Sequence, residues 1–473
     1  MDADTFRRLG HQLVDWIAAY RERLESLPVM STVEPGAIRA RLPRHPPEQG
    51  GALPEVLAGL DRTVLPGITH WNHPSFFAYF PANTSYASVL ADLVAAGLGA
   101  QGMSWQTSPA VTEVEEVVMD WLRQLLGLSE AWSGVIQDTA STATLCALLC
   151  ARERTTGYGQ DRRGLQGGEA PLVVYASDQA HSSVEKAALL AGFGRSHLRL
   201  VATDDRNALR VDELERLVEE DRRAGSRPCA VVAAVGTTAT TALDPVSAMA
   251  AVAAREGMWL HVDAAMAGTA AVLPECRWMW EGVERADSIV LNPHKWMGAG
   301  FDCSAYYVRD PQHLVRVMST NPSYLRTAQD GAVRNLRDWG IPLGRRFRAL
   351  KLWFYLADAG AEGLRARLRR DLENARWLAD QVDAEPGWER TAPVPLQTVC
   401  LRHLPPTAGT EAERAAHNLA VAEAVNRAGR AYVTPAVVRG RQLLRVSIGA
   451  ELTERRHVAG VWDELRGAAA AVP

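Results

Sequence analysis

The sequence predicts an α/β fold with a mainly parallel central sheet covered by helices. Short apolar runs at 171–176, 229–235, 259–263 and 288–292 alternate with helical patterns between about residues 86 and 350. Runs that are apolar on both faces are typical of buried parallel strands, and the helices between them are the crossovers that parallel strands require. Residues 86–350 are therefore the predicted large domain.

Two further segments flank this predicted domain. Residues 1–85 begin with an amphipathic helical pattern and continue through proline-rich connectors, which predicts a helical arm that packs on another surface. Residues 351–473 combine a helical stripe, a strand candidate at 442–448 and a last helix, which predicts a small α+β domain. The apolar stretch 87–100, which contains several Ala and Gly residues, predicts a buried helix at the start of the large domain.

Composition excludes several classes of protein. The chain has 473 residues, of which 47% are hydrophobic and 22% charged, and these values exclude a disordered or fibrous chain. A net charge of −4 provides no basic field for nucleic acid or an anionic membrane. No run reaches the roughly 18 apolar residues that a membrane-spanning helix needs. Six scattered cysteines without a secretory signal favour reduced thiols in the cytoplasm.

Lys295 is the sharpest local signal. It lies in NPHKWMG at 292–298, directly after an apolar strand candidate. Because burial of an ammonium is costly, Lys295 is either a surface loop lysine or an amine made nucleophilic by a low-dielectric pocket, as in Schiff-base enzymes. Asp263 ends the preceding strand candidate in HVDAAMAG. It is either a turn residue or the anionic partner of a protonated heteroaromatic ring.

Two more segments carry candidate groups after or beside strands. Residues 134–144, GVIQDTASTAT, precede an apolar helix and predict either a simple N-cap or a phosphate site at a helix N-terminus. His181 follows a strand candidate and is either structural or able to stack on a flat ring. The pattern GLGAQG at 97–102 follows a helical pattern, which argues against dinucleotide binding. The close pair Cys146 and Cys150 has no further ligands nearby, so no metal site is predicted.

In order and spacing, these motifs resemble the pyridoxal-phosphate-dependent decarboxylases of fold type I, and within them the group II aromatic-L-amino-acid decarboxylases. The resemblance runs from about residue 5 to 465. It implies a homodimeric enzyme that uses pyridoxal 5′-phosphate to convert an aromatic L-amino acid of the tryptophan, phenylalanine, tyrosine or DOPA type into its arylalkylamine and CO₂. The stretches that carry it are WNHPSFFAYFP at 71–81, 177–184, 261–268, 292–298 and 341–347.

The resemblance implies a set of cofactor-binding residues. Lys295 would hold the cofactor covalently, and Asp263 would pair with the ring nitrogen. Ala265 would pack beneath the ring and His181 would stack above it, while Thr238 would make a further contact. The phosphate would be received by Thr139, Ala140, Ser141 and Asn292.

Catalytic and substrate-binding residues follow from the same resemblance. His294 would neighbour the substrate carboxylate, and Tyr324 falls where the family has a mobile loop tyrosine, so the implied catalytic residues are Lys295, Tyr324, His181 and His294. Ala82, Met103 and Met266 stand where relatives often carry a hydroxyl, Phe and Tyr, which favours phenylalanine or tryptophan over a catechol. Gly344 fits relatives that accept indoles. The implied aromatic pocket consists of Trp71, Tyr79, Phe80, Pro81, Ala82, Met103 and Gly344.

Three alternatives stay open on the sequence alone. The first is an aromatic aldehyde synthase, although such relatives usually replace the loop tyrosine or the stacking histidine and this chain keeps both Tyr324 and His181. The second is decarboxylation of an acidic amino acid, for which the pocket offers no obvious arginine clamp. The third is a non-catalytic scaffold of the same fold, against which Lys295 and Asp263 argue.

Overall fold

A computed structural model describes residues 1–166, 170–320, 325, 329, 331–406 and 409–472. Within them, the helices are α1 (Ala3–Glu22), α2 (Leu53–Ala58), α3 (Leu60–Thr63), α4 (Tyr86–Leu98), α5 (Pro109–Leu126), α6 (Ala140–Thr155), α7 (Gln160–Arg163), α8 (Ser182–Leu190), α9 (Val211–Arg223), α10 (Val246–Glu256), α11 (Pro311–Met318), α12 (Ala349–Ala384, interrupted at Gly360), α13 (Glu411–Ala428) and α14 (Arg455–Ala471).

The strands in the same described residues form two sheets. The larger sheet has seven strands in the order β1-β7-β6-β5-β4-β2-β3, and the smaller has four in the order β10-β11-β9-β8. The strands are β1 (Ser133–Gln137), β2 (Leu172–Ser177), β3 (Leu198–Val201), β4 (Arg227–Ala234), β5 (Trp259–Asp263), β6 (Ser288–Leu291), β7 (Ser304–Val308), β8 (Trp388–Arg390), β9 (Thr398–His403), β10 (Thr434–Val438) and β11 (Arg441–Ser447).

The larger sheet has the predicted parallel core. Strands β3, β2, β4, β5 and β6 pair in parallel, and β7 runs antiparallel to both β6 and β1. Every residue of β2, β5 and β6 is buried, as expected for strands covered on both faces by helices. The predicted α/β fold, with a mainly parallel sheet and a small second sheet near the C-terminus, is confirmed. It is the fold of type I pyridoxal-phosphate enzymes.

The chain divides into two compact units, each made of residues that lie close together in space. The first unit contains 1–81, 380–389 and 401–473, and the second contains 82–379 and 390–400. The division of the sequence into an arm at 1–85, a large domain at 86–350 and a small domain at 351–473 stays a prediction. The arm is helical only in part, because α1, α2 and α3 end by residue 63 and prolines at 66, 74 and 81 remove backbone donors from the rest.

Helix α4 differs from its prediction. The sequence indicates a buried helix, but one face of α4 is open to solvent while Ala87, Ser88 and Ala91 are buried. Hydropathy records the apolar character of a face and not what covers it, which is why the prediction was wrong. The exposed side chains are Tyr86, Leu90, Leu93, Val94 and Leu98.

The pattern at 97–102 does follow a helix, since it begins inside α4, so the argument against a dinucleotide site holds. None of the helices in the described part of the chain is long and apolar enough to cross a membrane.

Candidate active site

The predicted cofactor residues of the second unit converge at one edge of the larger sheet. The carboxyl ends of parallel strands meet at the same edge, where ligands of open α/β sheets bind. Because β1 and β6 both run antiparallel to β7, the end of β1 belongs to this edge as well. The residues that end or follow these strands are Thr139 after β1, His181 after β2, Thr238 after β4, Asp263 in β5, and Asn292 and Lys295 after β6.

Lys295 lies on a single π-helical turn, Pro293–Met297, that follows β6 directly. Trp296 and Met297 are fully buried, whereas Lys295 keeps part of its residue surface accessible to solvent. Burial lowers the pKa of the Lys295 amine, and the negative charge of Asp263 opposes that shift. A lowered pKa increases the fraction of neutral, nucleophilic amine.

The two other lysines of the chain have different surroundings. The sequence contains three lysines, Lys186, Lys295 and Lys351. Lys186 lies exposed on α8, and the Nζ of Lys351 is 3.2 Å from Oδ2 of Asp92 in an ion pair. This scarcity of lysine is a sequence signal that the motif analysis did not use.

Asp263 is fixed at the end of β5. Its Oδ1 accepts a hydrogen bond of 3.1 Å from the backbone N–H of Ala265, and the carbonyl of Ala265 accepts one of 2.8 Å from the N–H of Asn292. These two bonds tie the segment after β5 to the segment after β6. Ala265 is partly accessible to solvent between buried neighbours.

His181 caps the N-terminus of α8. Its Nδ1 accepts a hydrogen bond of 3.2 Å from the N–H of Ser183, so a neutral ring carries its proton on Nε2. Partial burial lowers the pKa of His181, the charge of Lys295 lowers it further, and Asp263 opposes both effects. The residue as a whole nevertheless keeps an exposed surface.

Polar groups that suit an anion surround the start of α6. The Oγ1 of Thr139 accepts a hydrogen bond of 3.4 Å from the N–H of Thr142, so Thr139 is an N-cap, which is one of the two predicted interpretations of this segment. Ser141 is exposed in the first turn, next to the buried Ala140. Asn292 accepts a hydrogen bond of 2.7 Å at Oδ1 from Ser304, which turns its amide NH₂ the other way, where it can donate. The role of these residues toward a phosphate stays a prediction.

His294 is buried beside Lys295. Its Nδ1 accepts a hydrogen bond of 3.0 Å from the N–H of Cys303, which places the ring proton on Nε2. Burial, and then the charge of Lys295, lowers the pKa of His294 to about 4. The ring is therefore a neutral hydrogen-bond donor at pH 7 and not a cation.

The loop after β4 approaches the chain after β5 closely. Gly236 has a φ of +90°, and a Cβ at this position would come within 2.5 Å of the Cβ of Ala267. Only glycine allows this approach without strain. Thr238, two residues later, is exposed.

The predicted pocket residues of the second unit lie close to one another or to Lys295. The Oε1 of Gln101 accepts the N–H of Met103 at 2.9 Å and that of Arg345 at 3.1 Å, which joins Met103 to the loop of Gly344. Ala82 precedes Asn83, whose Nδ2 donates a hydrogen bond of 2.8 Å to the carbonyl of Lys295. The sequence offered no local signal that joins Asn83 to Lys295 or Gln101 to Arg345, because these partners are distant in the chain.

The remaining pocket residues belong to the first unit, and their place in a pocket stays a prediction. Trp71 stacks on Tyr79 with ring centroids 5.6 Å apart, and the guanidinium of Arg445 lies 5.3 Å from the ring of Phe80. Pro81 is buried. Tyr324 lies outside the described residues, so its role also stays a prediction.

Comparisons with known proteins decide the family. Residues 35–404 match the pyridoxal-dependent decarboxylase conserved domain. The chain belongs to this family. It is 41% identical to phenylacetaldehyde synthase of Arabidopsis thaliana over 98% of this chain and 95% of the relative. It is 39% identical to a tryptophan decarboxylase of Camptotheca acuminata over 100% and 96%. The crystal structure of Oryza sativa tryptophan decarboxylase with pyridoxal phosphate and tryptamine superposes with a TM-score of 0.95, 38% identity, and coverage of 100% and 99%.

This pyridoxal-dependent decarboxylase uses pyridoxal 5′-phosphate, and it is a carboxy-lyase. The residues present fit that group, which has an aldehyde, a basic ring nitrogen and a phosphate. The edge of the sheet offers a partly accessible amine of lowered pKa at Lys295, a carboxylate at Asp263 and a helix N-terminus at α6. Among the described residues, no group of three or more His, Cys, Asp or Glu side chains lies together in a way that could hold a metal ion.

Proposed function

We propose that this decarboxylase acts on an aromatic L-amino acid and releases the corresponding arylalkylamine and CO₂. The observation that carries the proposal is the Lys295 amine at the sheet edge. Burial lowers its pKa and Asp263 opposes that shift, while the charge of Lys295 in turn lowers the pKa of His181. The names of the relatives, a tryptophan decarboxylase and a phenylacetaldehyde synthase, support an aromatic substrate.

Each residue of the proposed site has a task that its surroundings suit. When bound, pyridoxal phosphate supplies an electron-withdrawing ring that accepts the electron pair released as the Cα–carboxylate bond breaks. Asp263 holds the proton on the ring nitrogen, which strengthens that withdrawal. His181 would cover one face of the ring, and His294, which its lowered pKa keeps neutral, would donate its Nε2–H to the substrate carboxylate.

Tryptophan is the substrate we propose within the aromatic class. Gly344 is exposed, and a Cβ at that position would meet only Nε2 of Gln101, at 3.7 Å, among the described atoms within 4 Å. This open position suits a large indole. Met266 is buried and its sulfur accepts a hydrogen bond of 3.1 Å from Gln397. By the family resemblance it stands where relatives carry a tyrosine, so this position lacks a hydroxyl for a catechol.

An aldehyde-forming reaction is the second candidate, because the Arabidopsis relative at 41% identity is a phenylacetaldehyde synthase. Both reactions begin with loss of CO₂ and differ in whether Cα then takes a proton or reacts with oxygen. Retention of Tyr324 and His181 in the sequence supports the amine as the product.

The proposal includes a homodimer in a reducing compartment. The exposed apolar face of α4 carries Leu90, Leu93 and Leu98, which are 51%, 53% and 64% exposed, and burial against a second copy would stabilise it. The six cysteines are buried and free of disulfides, which suits the cytoplasm.

A product assay tests the proposal. The purified protein is loaded with pyridoxal phosphate and given tryptophan, phenylalanine, tyrosine, DOPA and glutamate, and amine, aldehyde, CO₂ and peroxide are quantified. Borohydride reduction then fixes the cofactor to the lysine it is bonded to, which peptide mapping identifies among the three lysines. We expect amine from the aromatic substrates and cofactor on Lys295. The Lys295→Arg variant should lose the visible band of lysine-bound cofactor and all turnover, whereas the matched Lys351→Arg variant should keep both. Turnover of glutamate alone, or cofactor on Lys186 or Lys351, would refute the proposal.

A further inference from the structure

The turn that carries Lys295 has carbonyl groups that its own helix cannot satisfy. A helical turn leaves its last C=O groups without intrahelical partners, and buried carbonyls need donors. The turn Pro293–Met297 is five residues long, so most of its carbonyls fall in this class. The carbonyl of Lys295 receives its donor from Asn83, at 2.8 Å.

Arg367 of α12 supplies donors for the next two carbonyls. Its Nη2 donates to the carbonyl of Trp296 and, at 2.8 Å, to that of Met297. A cation at the C-terminal end of a helical turn is also favourable to the turn dipole. The side chain of Arg367 is 9% exposed, so these contacts are largely shielded from water.

Asp371, one turn further along α12, binds the side chain of Trp296, the residue that follows Lys295. The indole Nε1 of Trp296 donates a hydrogen bond of 2.9 Å to Oδ2 of Asp371, and Nη1 of Arg367 lies 3.7 Å from the same oxygen. Nη2 of Arg370 lies 3.5 Å from Oδ1. Trp296 and Asp371 are both fully buried. A carboxylate without any exposure is costly, so its partners at this position matter energetically.

We propose that Arg367 and Asp371 are positioning residues. They fix the backbone around Lys295 and the indole of the next residue, Trp296, and so determine where the Lys295 amine lies in the cofactor site. The inference rests on Lys295 as the cofactor-binding lysine. The amine of Lys295 must leave the cofactor when substrate enters and return to it when product leaves, and both steps depend on its placement. Small misplacements of a reacting group carry large rate penalties.

A purely structural anchor would have a different signature. Burial raises the pKa of Asp371, while Arg367, the Trp296 indole and Arg370 oppose the rise, so loss of any partner must destabilise the fold to some degree. Stability alone therefore cannot test the inference. The position of the amine can be read from the chemistry of the lysine–cofactor bond in the loaded protein.

The test uses three variants of the loaded enzyme and a matched control. Trp296→Phe removes the indole N–H and keeps an aromatic ring, Asp371→Asn removes the charge and keeps an acceptor, and Arg367→Gln removes the guanidinium. The control, Arg369→Gln, lies on the same helix and breaks an exposed ion pair with Glu275. Two properties are measured besides turnover: the pH midpoint of the visible band, and the rate at which hydroxylamine removes the cofactor.

We expect the midpoint to move by about one pH unit in the three variants, because the surroundings of the amine change. Hydroxylamine should remove the cofactor about tenfold faster, since the lysine returns less readily to its place. The control should match the wild type in both properties. Lower thermal midpoints with an unchanged pH midpoint and unchanged hydroxylamine rate would overturn the inference and leave a structural anchor. If Arg367→Gln does not fold, Trp296→Phe decides the outcome. Failure of the lysine assignment is separate, because borohydride mapping would then place the cofactor on Lys186 or Lys351.

Discussion

Asp263 accepts the backbone N–H of Ala265 at Oδ1, at 3.1 Å, and this bond fixes the orientation of the carboxylate. With Oδ1 bonded to Ala265, Oδ2 is the oxygen that we propose pairs with the ring nitrogen. An asparagine would keep its Oδ1 on the Ala265 N–H and present an NH₂ group to the ring. Two donors would then meet, and the ring proton would be disfavoured.

We therefore expect Asp263→Asn to fold and to lose kcat. A loss of 1.4 kcal/mol of transition-state stabilisation costs about tenfold in rate, and the charge partner of the ring should be worth at least this much. Steady-state kinetics at saturating substrate and cofactor titration measure the effect. A variant that binds cofactor and keeps full kcat would contradict the role of Asp263.

Two buried histidines predict acid lability. Burial lowers the pKa of His261 and of His294 to about 4 from an ordinary 6.5. Between these values the unfolded chain binds more protons than the folded one, so stability rises with pH and is lost as pH falls from 6.5 toward 4. Each histidine should contribute about 1.4 kcal/mol per pH unit within that window.

Urea unfolding at pH 7 and pH 5 checks this expectation. In His261→Gln, the difference in unfolding free energy between the two pH values should shrink, whereas in His11→Gln, an exposed site on α1, it should stay as in the wild type. An equal pH dependence in all three proteins would show that buried His261 is not responsible.

The open face of α4 predicts how the proposed homodimer can be dissociated. Leu90→Arg and Leu93→Arg place a cation on the face that we propose a second copy buries, so both variants should sediment as monomers and lose activity. Burial of a charge without a partner is strongly unfavourable. Leu190→Arg, at a leucine that is 66% exposed on α8, is the control and should remain dimeric. Dimers of all three variants would place the interface elsewhere.

We predict that Tyr324 determines whether amine or aldehyde forms after CO₂ has left. Phenylalanine has nearly the same shape without a hydroxyl, so Tyr324→Phe should keep substrate binding and CO₂ release but deliver no proton from this position. Amine should fall sharply, and aldehyde, ammonia and peroxide should appear in air. Amine and aldehyde are measured in the same reaction with and without oxygen. If amine remains the main product in air, Tyr324 only packs its loop.

Much of the candidate site could be predicted from the sequence because its residues end or follow strands. Asp263, His181 and Lys295 stand directly after apolar runs, and the topology of a parallel sheet brings such positions together. The side chains that hydrogen-bond to this site could not be predicted from the sequence. Asn83 is 212 residues from Lys295 and Asp371 is 75 residues from Trp296, so no local pattern connects them.

The fold shows the same limit. Strands β2, β5 and β6 were predicted as apolar runs, whereas β3, which lies at the sheet edge with partly exposed residues, gives no such run. Tertiary pairing, and not local hydropathy, decides the structure of such segments.

The scarcity of lysine has a chemical consequence beyond catalysis. Apart from Lys186, Lys295 and Lys351, the basic side chains that stay charged at pH 7 are arginines, whose guanidinium does not condense with aldehydes as an amine does. An aldehyde that meets this protein therefore finds few competing amines on its surface. Probes, inhibitors and immobilising groups that bear an aldehyde should therefore form few lysine adducts with this protein, and each adduct can be assigned to one of three positions by peptide mapping.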